Sequence, residues 1–351
     1  MSLSRLASLR VLLAGLCLAG TLLAAPTPIR AEQGASKTGG ETSGRGRNDA
    51  DKDKDGKAKD SNGKDGKGGD DDRKGSDAQD EVDTENLFGF TEGSETGKRG
   101  EQEILLDSIG RFSKRRADTG PSRYRVSNTK LSYQFDPTDN FSIDLGIFAD
   151  ARSVRNIADL PDKSYGTFDG ASAEFKYRFL KASNDNPLGL AVELRPRYAR
   201  ILPVEGQGAD IFDMESLLQL DVRLVPDKVW YGSNLSFEPS VGRLRGTREV
   251  DRSSTFLWSH AVVARVTQDT FVGPELRYLR AYDGAFLNRF EGHAVFLGPA
   301  LYHRFGEKAF LTLAYSTQIA GHDRDPSYMR RAFDLTHFER HAVRVKLGLE
   351  F

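Results

Sequence analysis

The stretch from Phe338 to Phe351 alternates between apolar and polar side chains and ends on an aromatic ring. In an extended strand, successive side chains point to opposite faces. One face would then carry His341, Val343, Val345, Leu347, Leu349 and Phe351. As the edge of a soluble sheet such a strand would invite aggregation, whereas a barrel closed within a membrane removes the edge and uses both faces. The pattern therefore predicts a transmembrane β-barrel.

The rest of the chain from residue 101 onward repeats this alternation in about twelve segments. Every second connection is a tight turn, such as residues 137–140 or 226–228, and the others run to about ten residues or more. An even strand number with short turns at one end and long loops at the other is the topology of an outer-membrane barrel with both termini in the periplasm. We therefore predict an all-β fold, a closed antiparallel transmembrane β-barrel over residues 101–351. No apolar run of about 20 residues follows the N-terminus, which excludes a helical-bundle membrane protein.

Four prolines fit this pattern badly, because Pro196, Pro239, Pro274 and Pro299 fall inside predicted strands. Proline cannot donate to a strand ladder, so each is expected to mark a bulge or a strand end. The rival fold is a soluble antiparallel sandwich. Long matched strands and an export signal favour the membrane barrel.

The N-terminal third changes composition twice before the barrel begins. Residues 1–31 have a positive start, a short apolar centre and a small residue for cleavage, which predicts a signal peptide. Residues 32–83 hold 11 basic and 15 acidic residues and almost no apolar ones, which predicts a disordered Gly/Asp/Lys-rich linker. Within it, residues 51–56 copy the opening of a calcium loop, but Asn62 stands where the closing glutamate is needed. We interpret this stretch as a solvated charge run.

Residues 84–100 form a distinct segment that contains two phenylalanines after some fifty polar residues. It is too rich in glycine for a helix and too short for a domain. Either it docks as a small plug or lid at the periplasmic mouth of the barrel, or it is the lead-in to the first strand. The sequence leaves both interpretations open.

The polar parity of the strands would line the lumen. We predict ten lumen-lining residues there: Glu174, Arg178, Glu193, Arg195, Arg197, Arg223, Glu275, Arg277, Arg344 and Lys346. Either these side chains pair across strands and fill a narrow interior, or they line a conduit whose basic excess favours anions. Twelve strands lie between filled eight-stranded barrels and open sixteen-stranded porins. We therefore expect passive passage of small solutes or ions, with a structural, loop-presenting barrel of closed lumen as the alternative.

Enzymatic activity is not expected, and neither is a cofactor or a metal ion. A membrane-embedded lipid hydrolase is the second alternative, since His322 lies beside Asp323 and Asp325, with Ser316 on the preceding strand. Nothing in that spacing demands a nucleophile, a base and an orienting group in contact. The chain also has no phosphate loop, dinucleotide fingerprint or zinc-ligand spacing.

Three stretches resemble an uncharacterised family of proteobacterial outer-membrane, transporter-like barrels: residues 87–94, the strand around residues 298–302, and residues 338–351. The resemblance implies an outer-membrane protein whose linker lies in the periplasm. Its partners would be the lipid bilayer, small solutes or ions, and the barrel-assembly machinery acting through the C-terminal strand that ends in Phe351. Nucleic acid is excluded as a partner, because residues 84–351 hold 36 basic and 36 acidic residues and offer no basic excess.

Overall fold

The computed structural model describes residue 82 and residues 84–117, 120–183, 185–327 and 331–351. The predicted signal peptide, and all of the predicted linker except Val82, lie outside the described residues. Twelve strands follow one another: β1 (Gln102–Phe112), β2 (Arg123–Thr138), β3 (Phe141–Arg155), β4 (Lys163–Leu180), β5 (Leu188–Ile201), β6 (Gly208–Val225), β7 (Val229–Leu244), β8 (Val250–Thr267), β9 (Thr270–Asp283), β10 (Arg289–Phe305), β11 (Ala309–Asp323) and β12 (His341–Glu350).

Each strand pairs antiparallel with its neighbours in the chain, and β1 pairs with β12 to close the sheet. This confirms the predicted closed twelve-stranded barrel. The connections at one end are short, for example residues 139–140 and 268–269, and we call this end the short-turn end. The opposite, loop end carries shorter connections than expected, because several strands begin earlier than predicted. Strand β4 already starts at Lys163 and β6 at Gly208, so the connections before them span only residues 156–162 and 202–207.

The four strand prolines do not produce the predicted bulges or strand ends. At each one, pairing with a single neighbouring strand lapses over two residues and then resumes in the same register. Pairing with the other neighbour continues, and Pro274 and Pro299 even face each other across β9 and β10. Each proline therefore interrupts the pairing with one neighbouring strand without ending its own strand, and the strand count stays at twelve.

The outer surface of the barrel is apolar. Leu145 and Ile147 of β3 point outward and are 56% and 53% exposed. Asp144, the residue before Leu145, points inward and is buried. Leu347 of β12 shares the outward parity, although it is only 3% exposed between its strand neighbours Leu106 and Leu311. An apolar outside combined with a charged inside is the inverse of a soluble sandwich, and it suits a sheet surrounded by hydrocarbon.

Candidate functional site in the barrel lumen

Residues 84–97, which we call the luminal segment, lie inside the barrel as a loop that enters and leaves at the short-turn end. Both ends of this loop bind one carboxylate, Asp221, near the end of β6. The Thr84 hydroxyl donates to it at 2.5 Å, and the backbone N–H of Ser94 donates to it at 2.7 Å. The two limbs also bond to each other, from the Gly93 amide to the Glu85 carbonyl at 3.3 Å. The segment is therefore a closed loop inserted from one mouth.

The tip of the loop is held through its backbone. The Phe90 amide donates to the Glu275 carboxylate at 2.8 Å, and the Thr91 amide donates to the same carboxylate. Asn234 accepts the Glu92 amide at 2.6 Å and donates to the Glu92 carbonyl at 2.8 Å. Glu275 and Asn234 each lie five residues in from the short-turn end of their strands. The wall thus satisfies buried peptide groups that would otherwise be left without partners.

Apolar side chains of the segment cover one side of the lumen. Leu87 and Phe88 are completely buried, in a cluster with Val82 and wall residues of strands β7 to β11. These wall residues are Trp230, Ala261, Val263, Phe271, Tyr302 and Phe310. Gly232 makes room for the Phe88 ring, since a Cβ at this position would lie 2.7 Å from it. Phe90 packs against three alanines of β10 to β12, and the Arg277 guanidinium lies 3.7 Å from the centre of its ring.

Glu92 spans the remaining width of the lumen. Its carboxylate accepts hydrogen bonds from Arg195 of β5 and, at 3.1 Å, from Arg344 of β12. Burial alone would raise the pKa of the Glu92 carboxyl, but the positive charges of Arg195, Lys346 and Arg344 hold that pKa well below its usual range. Glu92 is therefore ionised, and its charge links two opposite walls of the barrel.

Two further ion pairs join the segment to the wall. The Lys176 ammonium lies 3.0 Å from the Glu85 carboxylate, and the Arg178 guanidinium lies 2.6 Å from that of Glu95. All four groups are largely buried. Backbone, apolar and ionic contacts therefore act together on fourteen residues that contribute no strand to the barrel.

A cavity of about 230 Å³ remains beside the segment. Its charged lining residues are ten acids, Glu85, Glu92, Glu103, Asp107, Asp144, Glu174, Glu193, Asp213, Glu215 and Glu238, and seven bases, Arg111, Lys130, Lys176, Arg195, Arg197, Arg344 and Lys346. The lining thus has three more acids than bases, in place of the expected basic excess. The luminal segment supplies two of the acids, and the ten predicted residues omitted six acids of the wall: Glu103, Asp107, Asp144, Asp213, Glu215 and Glu238.

The structure places all ten residues predicted to line the lumen on the inner face. Six of them line the cavity: Glu174, Glu193, Arg195, Arg197, Arg344 and Lys346. Three contact the luminal segment instead: Arg178, Glu275 and Arg277. The tenth, Arg223, is buried.

Two of the predicted lumen pairs, Glu193/Arg195 and Glu275/Arg277, share a Glu-x-Arg spacing but make different contacts. Glu193 and Arg195 bond to each other within β5 at 2.7 Å. Glu275 instead binds backbone amides of the segment, and Arg277 stacks on Phe90. Arg195 also pairs across strands, with Glu215 of β6 at 3.2 Å and with Glu174 of β4 at 3.6 Å. The predicted cross-strand pairing therefore describes Arg195, whereas Glu275 and Arg277 are diverted to the segment.

The residues considered for hydrolysis do not form a catalytic group in the described part of the chain. Ser316 accepts a hydrogen bond from Arg277 at 3.0 Å, and the centre of the His322 ring lies 6.0 Å from that of His293. Asp323 instead meets Asp334 and His337 at the loop end, in an arrangement of metal-ligand type. Internal hydrogen bonds from Thr336 and His337 already occupy these carboxylates.

Residues 80–351 match the model of a family described as "Family of unknown function (DUF6662)". The chain belongs to this family. The match includes the luminal segment as well as all twelve strands. No curated protein is detectably similar to the chain in sequence. Among the described residues, no helix is long and apolar enough to cross a membrane.

Several solved outer-membrane proteins resemble this member of the family. The COG4313 outer membrane channel from Pseudomonas putida F1 is 12% identical with a TM-score of 0.49, over 74% of this chain and 98% of that chain. The β domain of the Bordetella autotransporter BrkA is 13% identical with a TM-score of 0.45, over 72% and 100%. The NanC porin is 10% identical with a TM-score of 0.40, over 70% and 98%.

Proposed function

We propose that this protein is an outer-membrane channel for small polar solutes or ions, and that the luminal segment controls its opening. The observation that carries the proposal is that a separate loop, and not the barrel wall alone, fills the lumen. A barrel that needs only to be solid can fill its interior with its own wall side chains. Here the wall supplies charged groups around a cavity, and a loop tethered at one mouth supplies the filling.

The contacts of the segment support a reversible closure. Wall and segment meet through hydrogen bonds and ion pairs as well as one apolar cluster, and no strand pairing would break on release. Both limbs of the loop leave by the short-turn end. Short turns face the periplasm in outer-membrane barrels, so the segment would control the channel from that side.

The charge of the lining gives the expected selectivity. With the segment in place, ten carboxylates face seven cationic groups, and the cavity should prefer cations. Release of the segment removes Glu85 and Glu92 and brings the wall close to neutrality. Opening should therefore increase conductance and reduce cation preference together.

Planar-bilayer conductance tests the proposal. Deletion of residues 84–97 should give large, steady conductance steps, and the intact chain should give smaller or intermittent ones. A deletion of fourteen residues within the preceding stretch, residues 60–73, is the matched control and should behave as the intact chain. If the deleted barrel folds, as judged by its heat-dependent mobility in detergent gels, yet conducts no ions, the closed structural barrel is the correct function.

A further inference from the structure

Glu92 is a carboxylate bound between cationic groups on opposite walls. Arg195 and Arg344 each donate to one of its oxygens, and four strands separate β5 from β12 in the closed sheet. Guanidinium groups recognise carboxylates with defined geometry. The site is therefore organised around a carboxylate that the wall itself does not provide.

Lys346 is the second, independent observation. It lines the cavity, is only 2% exposed, and has no hydrogen bond or ion pair within the part of the chain that the structure describes. A buried ammonium without a bonded counter-ion is costly. In the closed state the negative charge of Glu92 acts on Lys346. When the segment leaves, this compensation is lost.

We propose that Arg195, Arg344 and Lys346, which we call the carboxylate clamp, form a binding subsite for the carboxylate of a passing solute. Glu92 occupies the clamp as a built-in competitor. The inference rests on the proposed channel function and names a substrate class for it. A solute carboxylate and a docked segment exclude each other, so such a solute favours the open state.

The surrounding acids restrict the solute to a single negative charge. Asp107 bonds to Arg344 at 2.6 Å, and Glu193 bonds to Arg195 at 2.7 Å. Glu215 lies 3.2 Å from Arg195 as well. These wall carboxylates stay when Glu92 leaves, and they repel a doubly charged anion. A small monocarboxylate carries the same single negative charge as Glu92, whereas phosphate near neutral pH is partly doubly charged.

Chemical rescue tests the clamp in the full-length chain. Glu92→Ala removes the Cγ and the carboxylate of Glu92 and keeps its Cβ, and propionate, a carboxylate with a short alkyl tail, can place its own carboxylate in the vacated position. Calorimetry should show saturable propionate binding to Glu92→Ala, and at least tenfold weaker binding to the wild type, where Glu92 competes. Adding Arg344→Gln to Glu92→Ala should abolish the binding, and adding Lys346→Met should weaken it severalfold. Lys228→Met, in the exposed β6–β7 turn, is the matched control and should change nothing.

Two comparisons identify the chemistry that is recognised. Propionamide, which has the same shape without the charge, should not bind, and phosphate should bind more weakly than propionate. Equal propionate binding by wild type and Glu92→Ala, or tighter binding of phosphate, overturns the proposal. Bilayer recordings on Glu92→Ala separate the two ideas. Conductance without propionate binding leaves the channel and removes the clamp, whereas binding without any conductance leaves the clamp and removes the channel.

Discussion

Phe88→Ala should release the luminal segment from the wall of the lumen. The Phe88 ring is completely buried against Trp230 and the aromatic wall of β7 to β11. Truncating a buried phenylalanine to alanine costs about 3–5 kcal/mol, and the lower figure applies here because lumen water can enter the vacated space. About 3 kcal/mol corresponds to roughly a hundredfold change in the equilibrium between docked and released segment. A segment released for about 0.1% of the time would then be released for about a tenth of it.

Trp230 reports this equilibrium directly, because it is 1% exposed and packs in the same cluster as Phe88. The other tryptophan, Trp258, points outward and is replaced by phenylalanine in all variants so that only Trp230 emits. Release of the segment exposes Trp230 to lumen water, so acrylamide should quench its emission severalfold more efficiently in Phe88→Ala. Conductance in bilayers should rise in the same variant.

Two variants sharpen the Phe88 experiment. Gly232→Ala should act from the opposite side of the contact, because its new Cβ would lie 2.7 Å from the Phe88 ring. Phe286→Ala is the matched control, since Phe286 is 75% exposed in the β9–β10 loop, and it should leave quenching unchanged. If Phe88→Ala and Gly232→Ala both leave Trp230 as protected as in the wild type, the segment is not held by this cluster, and the reasoning is refuted.

Three further predictions concern the charged groups. Asp221→Asn weakens charge-assisted hydrogen bonds at both ends of the segment, worth about 1.5–3 kcal/mol, so Trp230 quenching should rise about as much as in Phe88→Ala. Asp213→Asn together with Glu215→Gln removes two acids from the cavity lining, so the reversal potential in a salt gradient should move away from cation preference; an unchanged potential would show that ions do not pass this lining. The pKa of Glu92 is lowered from its ordinary 4.5, so the stability that Glu92 gives to docking is fully present above about pH 4.5 and is lost only as the pH falls through the lower, folded value. The difference in quenching between wild type and Glu92→Gln should accordingly stay constant from pH 8 to 5 and shrink below 4.5; a difference that already fades near neutrality would contradict the ion pairs assigned to Glu92.

The barrel could be predicted from the sequence because a strand repeats every two residues. Alternation alone assigned Arg344 and Lys346 to the inner face of β12 and Leu347 to its outer face. Strand ends were less predictable at the loop end, because there the strands continue with polar residues beyond the apolar part of the outer surface. The stretch before Phe168 gave no apolar signal, yet β4 begins at Lys163.

The position of the luminal segment could not be predicted, because residues 84–97 have no periodicity. Two phenylalanines after a long polar stretch indicated docking but gave no partner. One signal was present on the other side of the contact, since an isolated glycine within a strand often marks a close approach of another group. Gly232 and Gly189 are such positions, and Cβ atoms there would meet Phe88 and Ser94. Only the closed sheet shows that both glycines face the same interior.

The geometry of the two limbs makes withdrawal of the segment mechanically simple. Thr84 and Ser94 meet on one carboxylate near the short-turn mouth, so tension on the chain before residue 84 acts first on the contacts closest to that mouth. The other limb joins β1 through Gly100, whose φ of 86° lies in a region that glycine adopts at low cost. A loop whose two limbs share one mouth can leave and return through that mouth. Closure can therefore be strong in total and still reversible, because the ionic contacts with Lys176, Arg178 and Arg195 can break one after another.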